Sequence, residues 1–137
     1  MARVQDPNGP TVLTGQSIAT EIPLARDGNS ERGSVMEIHV SQIVPGRMDQ
    51  LLELATRCAD FVEARGASHA TLASIGASGS FTNAVSMAWE LPDMRAFGRL
   101  ADSWLADPDG LAIYQMVYGA DAPSTEVFTG LYRVIPI

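Results

Sequence analysis

Lysine is missing from this chain altogether: its nine cationic side chains are all arginines. That absence excludes every mechanism built on a lysine amine, from Schiff-base aldolases to pyridoxal phosphate enzymes, and also a phosphate-loop lysine. There is one cysteine, Cys58, so no intramolecular disulfide and no cysteine-rich zinc site can form. No segment approaches the ~20 apolar residues of a membrane-spanning helix. The opening run MARVQDPNGPTVLTGQ lacks the unbroken apolar stretch of a signal peptide. Together these absences lead to the expectation of a soluble, cytoplasmic protein.

Charge narrows the partners. The formal net charge is −7, with no basic stripe. Such a surface repels a phosphate backbone and an anionic bilayer, so neither nucleic acid nor membrane is an expected partner. A length of 137 residues and an apolar content of 46% fit one globular core.

Residues 1–34 differ from the rest. Pro7, Asn8, Gly9, Pro10, Gly15, Pro23, Gly28, Asn29 and Gly33 rule out a long helix there, while TVLTGQSIATEIPL has the composition for one or two short strands. The segment reads as a partly extended N-terminal arm, packed on the domain or on a partner chain, with a partly ordered tail as the alternative.

The domain proper spans residues 35–137. VMEIHVSQIV alternates, with Met36, Ile38 and Val40 on one face and Glu37, His39 and Ser41 on the other. Pro45-Gly46 stops it. Met48, Leu51, Leu52, Ala55, Cys58, Ala59 and Val62 then form one apolar helical stripe, and Gly66 stands where a helix C-cap glycine belongs. ASHATLASI reads as a second strand and GASGS as a hairpin turn. FTNAVSMAWEL is a third strand, with Asn83, Val85, Met87, Trp89 and Leu91 on one face. Pro92 is expected to open a second helix at its first turn, Asp107-Pro108-Asp109-Gly110 to break it, and LAIYQMVYG to add a shorter one. TEVFTGLYRVIPI is the last strand.

This order predicts an α+β, ferredoxin-like βαββαβ fold with a four-stranded antiparallel sheet and its helices on one face. Strand three is too apolar on either side to meet water, and a bare sheet face of that kind would be a large apolar patch. Pairing two sheets face to face covers it, which makes a homodimer the expected assembly.

The run from Gly46 to Ile137 resembles the dimeric α/β-barrel superfamily, most nearly its NIPSNAP-like and antibiotic-biosynthesis-monooxygenase-like domains. Three stretches carry the resemblance: Ala64-Arg65-Gly66-Ala67, Met87-Ala88-Trp89-Glu90-Leu91-Pro92 and Trp104-Leu105-Ala106-Asp107-Pro108-Asp109. It implies a homodimeric barrel with a pocket but no particular reaction, since members range from cofactor-free oxygenation to haem chemistry to no known catalysis. It also implies that a tryptophan at the position of Trp89 borders the cavity. Haem-degrading members place a histidine on the second helix, and this chain has no histidine between Pro92 and Ile137. No cofactor is therefore expected.

Among individual residues, His39 is the candidate acid or base, because imidazole titrates near neutrality. Asn83, Trp89, Tyr132 and His69 are candidate ligand contacts. Each has a plainer reading: His39 and His69 as structural histidines, Trp89 as core or interface, Tyr132 as core. The two histidines fall on non-adjacent strands with no carboxylate at ligand spacing, so no metal site is expected. Cys58 sits on the apolar helical stripe, which fits packing rather than nucleophilic chemistry. Two functions remain open at this point. One is a cofactor-independent oxygenase or isomerase acting on a small apolar compound, and the other is a non-catalytic ligand-binding or interaction module.

Overall fold

A computed structural model of the chain describes residues 19–75 and 84–135. Five strands and three helices follow one another: β1 (Ala19–Ile22), β2 (Val35–Ile43), α1 (Met48–Glu63), β3 (Ser68–Ile75), β4 (Ala84–Leu91), α2 (Met94–Ala106), α3 (Pro108–Tyr118) and β5 (Ser124–Arg133). The strands form one antiparallel sheet in the order β1-β3-β4-β2-β5. Its last four members have the ferredoxin-like arrangement, with β4 between β2 and β3.

The sheet has five strands rather than the expected four. The extra strand comes from the arm: Ala19 to Ile22 pair with Ile75 to Leu72 and supply backbone partners to the β3 edge. Four residues are too few for an alternation to be visible in sequence, and this pairing is decided by the edge it meets. Arg26 then ties residues 19–34 to α1, donating to Asp60 Oδ1 at 2.7 Å and Glu63 Oε2 at 2.5 Å. The remainder of the arm, the GASGS turn and Asn83 lie outside the described residues.

Local chemistry accounts for the helix boundaries. Gly66 adopts φ +96°, the left-handed conformation that glycine reaches without steric cost, and the Ala67 amide closes the end of α1 on Val62 O at 3.0 Å. Pro92 does not open α2. Asp93 is its N-cap, with Oδ1 accepting from the Ala96 amide at 2.8 Å, so the proline lies one residue outside. The expected four-residue break contracts to Asp107 alone, which accepts from the Asp109 amide and leaves Pro108 at the first position of α3. Gly110 therefore sits inside α3, where a side chain would meet Phe61 Cζ at 2.7 Å and Ser103 O at 2.8 Å.

The helices pack on the sheet face that carries Val35, Leu72, Val85, Met87, Trp89 and Leu91. The other face holds a smaller cluster of Val40, Ile75 and Ala84 with Ile38 against it. On that side Phe128 and Tyr132 remain 40% and 44% exposed. Among the described residues no helix is long and apolar enough to cross a membrane.

Candidate functional site

Strand β2 is the centre of the site. Its alternation turns Glu37, His39 and Ser41 toward the helices, and its antiparallel pairing with β4 sets Glu37 opposite Trp89 and His39 opposite Met87. A cavity of about 280 Å³ opens between this face and the helices. Its walls are mostly apolar, among them Leu51, Leu54, Val85 and Met87, with aromatic groups from Trp89, Trp104, Tyr114 and Tyr118. That is near the lower end of the roughly 300–1,000 Å³ typical of small-molecule sites.

One side of the cavity is polar, and His39 organises it. Its Nε2 lies 2.9 Å from Glu37 Oε1 and its Nδ1 lies 2.5 Å from Glu126 Oε1. Thr129 Oγ1 is 3.3 Å from the same Nδ1. Each carboxylate takes one more donor: Trp89 Nε1 donates to Glu37 Oε2 at 3.0 Å, and the Tyr118 hydroxyl donates to Glu126 Oε2 at 2.7 Å. The Trp89 indole also stacks on the imidazole, with ring centroids 5.1 Å apart. Trp89 is almost fully buried, and a buried indole N–H needs a partner of this kind.

An imidazole bracketed by two carboxylates is best placed when both ring nitrogens carry protons. Burial pulls the His39 pKa down, but its hydrogen bonds to Glu37 and Glu126 outweigh it and raise the group above its ordinary 6.5. For Glu126, burial favours the protonated acid, while His39 and Tyr118 more than compensate and hold the carboxyl below its usual value. Burial and the adjacent Glu126 both push the Tyr118 phenol up, keeping it a donor. The geometry and the direction of these shifts both favour a protonated imidazole between the two glutamates. Cys58, also on the cavity wall, is buried and its thiol is pushed up to about 12, so it stays a protonated packing group.

Glu126 reaches His39 only because β5 is irregular. Thr129 pairs with His39 and Phe128 with Val40, but Ser41 then pairs with Glu126 rather than Val127. One extra residue, Val127, is accommodated on β5, and the bulge reverses the facing of everything before it. Strict alternation would have set Glu126 with Phe128 and Tyr132 on the far side of the sheet. Glu37, by contrast, was visible in the sequence as the neighbour of His39 on one strand face.

The structure brings His39 and Trp89 together at the cavity. Tyr132 pairs with Met36 and occupies the opposite face of the sheet. His69 lies away from this cavity, in a second space of about 290 Å³ bordered by Arg26, Asn29 and Glu63. Its φ of 51° coincides with a break in the β3–β4 register between Ser68 and Thr71, and its Nε2 is 3.9 Å from Glu90 Oε2. A non-glycine residue held at positive φ is an uncommon, mildly strained arrangement. Asn83 lies outside the described residues. Carboxylates do stand beside His39, contrary to the reading from sequence spacing. They bracket the ring on its two opposite nitrogens rather than converging on one point, and among the described residues no group of three His, Cys, Asp or Glu is set to hold a metal ion.

No family model matches the sequence, and no curated protein matches it either. Structural likeness is informative where sequence is not. The fold matches a NIPSNAP-family protein of unknown function from Agrobacterium tumefaciens with a TM-score of 0.53 at 12% identity, covering 80% of this chain and 94% of that one. A second crystal structure of an Agrobacterium tumefaciens protein matches at 0.52 and 12% identity, covering 75% and 93%. An uncharacterised NIPSNAP-like domain protein from Burkholderia xenovorans matches at 0.50 and 15% identity, covering 78% and 88%. The chain therefore has the NIPSNAP-like, dimeric α/β-barrel type of fold, and at these identities the likeness concerns the fold alone.

Proposed function

We propose that this protein binds a small, largely apolar molecule in the cavity between β2, β4 and the helices. The molecule's one polar group lies against Glu37, His39 and Glu126. The observation that carries this reading is the hydrogen-bonded Glu37–His39–Glu126 cluster closing one side of an otherwise apolar cavity. Holding two carboxylates and an imidazole out of water costs free energy that apolar side chains of the same size would not. Packing alone gives no reason to retain them, whereas orienting a ligand does.

A second reading, that the bound molecule is also transformed without a cofactor, is favoured by one feature. His39 and Glu126 are ionisable groups with shifted pKa values in a cleft, an arrangement enriched at sites of proton transfer. Both ring nitrogens are already taken by carboxylates, so a lone pair of Glu37 or Glu126 is the proton acceptor in this reading. His39 balances their charge. Abstraction of a C–H proton beside a carbonyl, with its return to another carbon, would be an isomerisation.

The protein acts in this proposal as a homodimer. Pairing is supported by the apolar sheet face with half-exposed Phe128 and Tyr132, which a second copy would cover. The test of the binding reading is a titration with small apolar compounds followed by tryptophan fluorescence. The only two tryptophans of the chain, Trp89 and Trp104, both line the cavity. Saturable quenching that disappears when Ala101, an exposed residue at the cavity wall, is replaced by Phe supports the reading. Quenching that survives Ala101→Phe, or never saturates, overturns it.

A further inference from the structure

The identity of the ligand's polar group follows from counting the protons of the cluster, given the binding reading above. Trp89 Nε1–H is committed to Glu37 Oε2, and the Tyr118 hydroxyl is committed to Glu126 Oε2. Both nitrogens of His39 are committed, one to each glutamate. All four carboxylate oxygens therefore hold a donor, every N–H and O–H of these three donors is occupied, and the Thr129 hydroxyl is engaged with His39 and Glu126. A carboxylate oxygen accepts at two positions, so what the cluster still offers is acceptor capacity only.

The sign of the charge agrees. Two glutamates and one doubly protonated imidazole leave a net charge of −1. No arginine is among the described residues lining the cavity, and the chain contains no lysine to reach in from elsewhere. Apart from the hydroxyls of Ser41 and Ser124, the remaining polar-capable walls are aromatic. Trp89 and Trp104 have centroids 6.3 Å apart, Tyr114 and Tyr118 have centroids 4.7 Å apart, and all four border the cavity. Aromatic faces are electronegative, and a cation within ~6 Å of one is attracted to it.

From these contacts we infer that the cavity selects a cationic apolar amine: an apolar body with a protonated amino group hydrogen-bonded to the free lone pairs of Glu37 and Glu126. Carboxylates, phosphates and sulfonates are excluded, because they bring a charge of the same sign to a cluster whose imidazole, indole and Tyr118 donors are already committed. An alcohol satisfies the hydrogen bond but not the charge.

Three probes of one chain length separate these cases on the full-length protein at neutral pH: n-hexylamine, n-hexanol and hexanoate, each titrated by tryptophan fluorescence and calorimetry. The expected order is amine tightest, alcohol about tenfold weaker, and acid weakest or silent. Glu126→Gln removes the excess negative charge with little change of shape, so it should abolish the preference of amine over alcohol. Ala101→Arg adds a cation at an exposed wall position where folding is not at stake, and should weaken the amine more than the alcohol. Binding of hexanol or hexanoate as tight as the amine would overturn the selection while leaving the binding reading intact. An amine preference unchanged in both variants would also overturn it. No saturable binding of any of the three would remove the binding reading itself.

Discussion

The indole of Trp89 does two jobs, and replacing it by phenylalanine separates them. Trp89→Phe keeps an aromatic ring on β4 but removes Nε1 and the part of the bicycle that packs toward His39 and Trp104. The lost contacts of a nearly fully buried side chain are worth about 1–2 kcal/mol, a fraction of what full truncation costs. Glu37 Oε2 loses its donor at 3.0 Å, and stranding an acceptor on a largely buried carboxylate costs about 1–3 kcal/mol more. The sum is about 2–5 kcal/mol. An unfolding entropy of about 2.1 cal/mol/K per residue over 137 residues gives ~0.3 kcal/mol/K, so Tm should fall by about 7–17 °C. Differential scanning calorimetry measures this directly. A double-mutant cycle with Glu37→Leu isolates the N–H to carboxylate bond, whose coupling should be about 1.5–3 kcal/mol because the acceptor is charged. Coupling below about 0.3 kcal/mol would mean that the bond contributes nothing and that Glu37 is not held by the indole. The description of the cluster as one connected network would then fail.

Two further outcomes test other parts of the structure. Gly110→Ala should destabilise the protein by about 1–3 kcal/mol in urea unfolding, since the new methyl would meet Phe61 Cζ at 2.7 Å and the carbonyl oxygens of Ser103 and Trp104, which belong to a packed helix and cannot easily retreat. An unchanged midpoint would contradict the close packing of α3 on α1 and α2. Stability should also depend on pH through His39. Its folded pKa lies above the unfolded 6.5, so its contribution is complete below pH 6.5 and is lost as pH rises through the folded value. The groups that face it are Glu37 on its own strand, Glu126 and Thr129 from β5 and Trp89 from β4, with Tyr118 of α3 behind Glu126. Urea titrations between pH 6 and 9 should therefore show wild-type stability falling relative to His39→Gln. A constant difference across that range would place a neutral imidazole in the cluster.

Much of this molecule is legible in its sequence, and the parts that are not share a cause. Period-two alternation located β2, β4 and the Trp89 face, and the 3.6-residue stripe located α1, because those patterns are long enough to override local accidents. Leu54 and Phe61 are not on that stripe, although both are buried; Phe61 stacks on Trp104 of α2 and lies against Gly110 of α3, so the helices cover a wider arc of α1 than a single sheet would. Strand β1 was only suspected, since four residues carry no periodicity and its existence depends on the edge of β3. The caps at Asp93 and Asp107 each displaced a boundary that proline had seemed to mark, because a side-chain oxygen on a backbone amide decides where a helix starts more strongly than a ring that merely tolerates its first turn. At the site, His39 could be named from its chemistry and its place on the strand, and Trp89 from the family resemblance. Their stacking could not, because it depends on the register that sets Glu37 opposite Trp89, a contact 52 residues apart in the chain.

The bulge at Val127 divides β5 into two functional halves with independent accounts. Residues before it present Glu126 to the cavity, and residues after it present Phe128 and Tyr132 to the opposite side. In a regular strand those two duties would be locked in phase, and any change of facing that served one would spoil the other. A single inserted residue uncouples them. It follows that the backbone conformation at Val127, rather than the identity of any cluster residue, is the variable to watch at this point of the chain. A strand running regularly through Val127 would alter no member of the cluster, yet it would carry Glu126 to the far side of the sheet and leave His39 with one carboxylate.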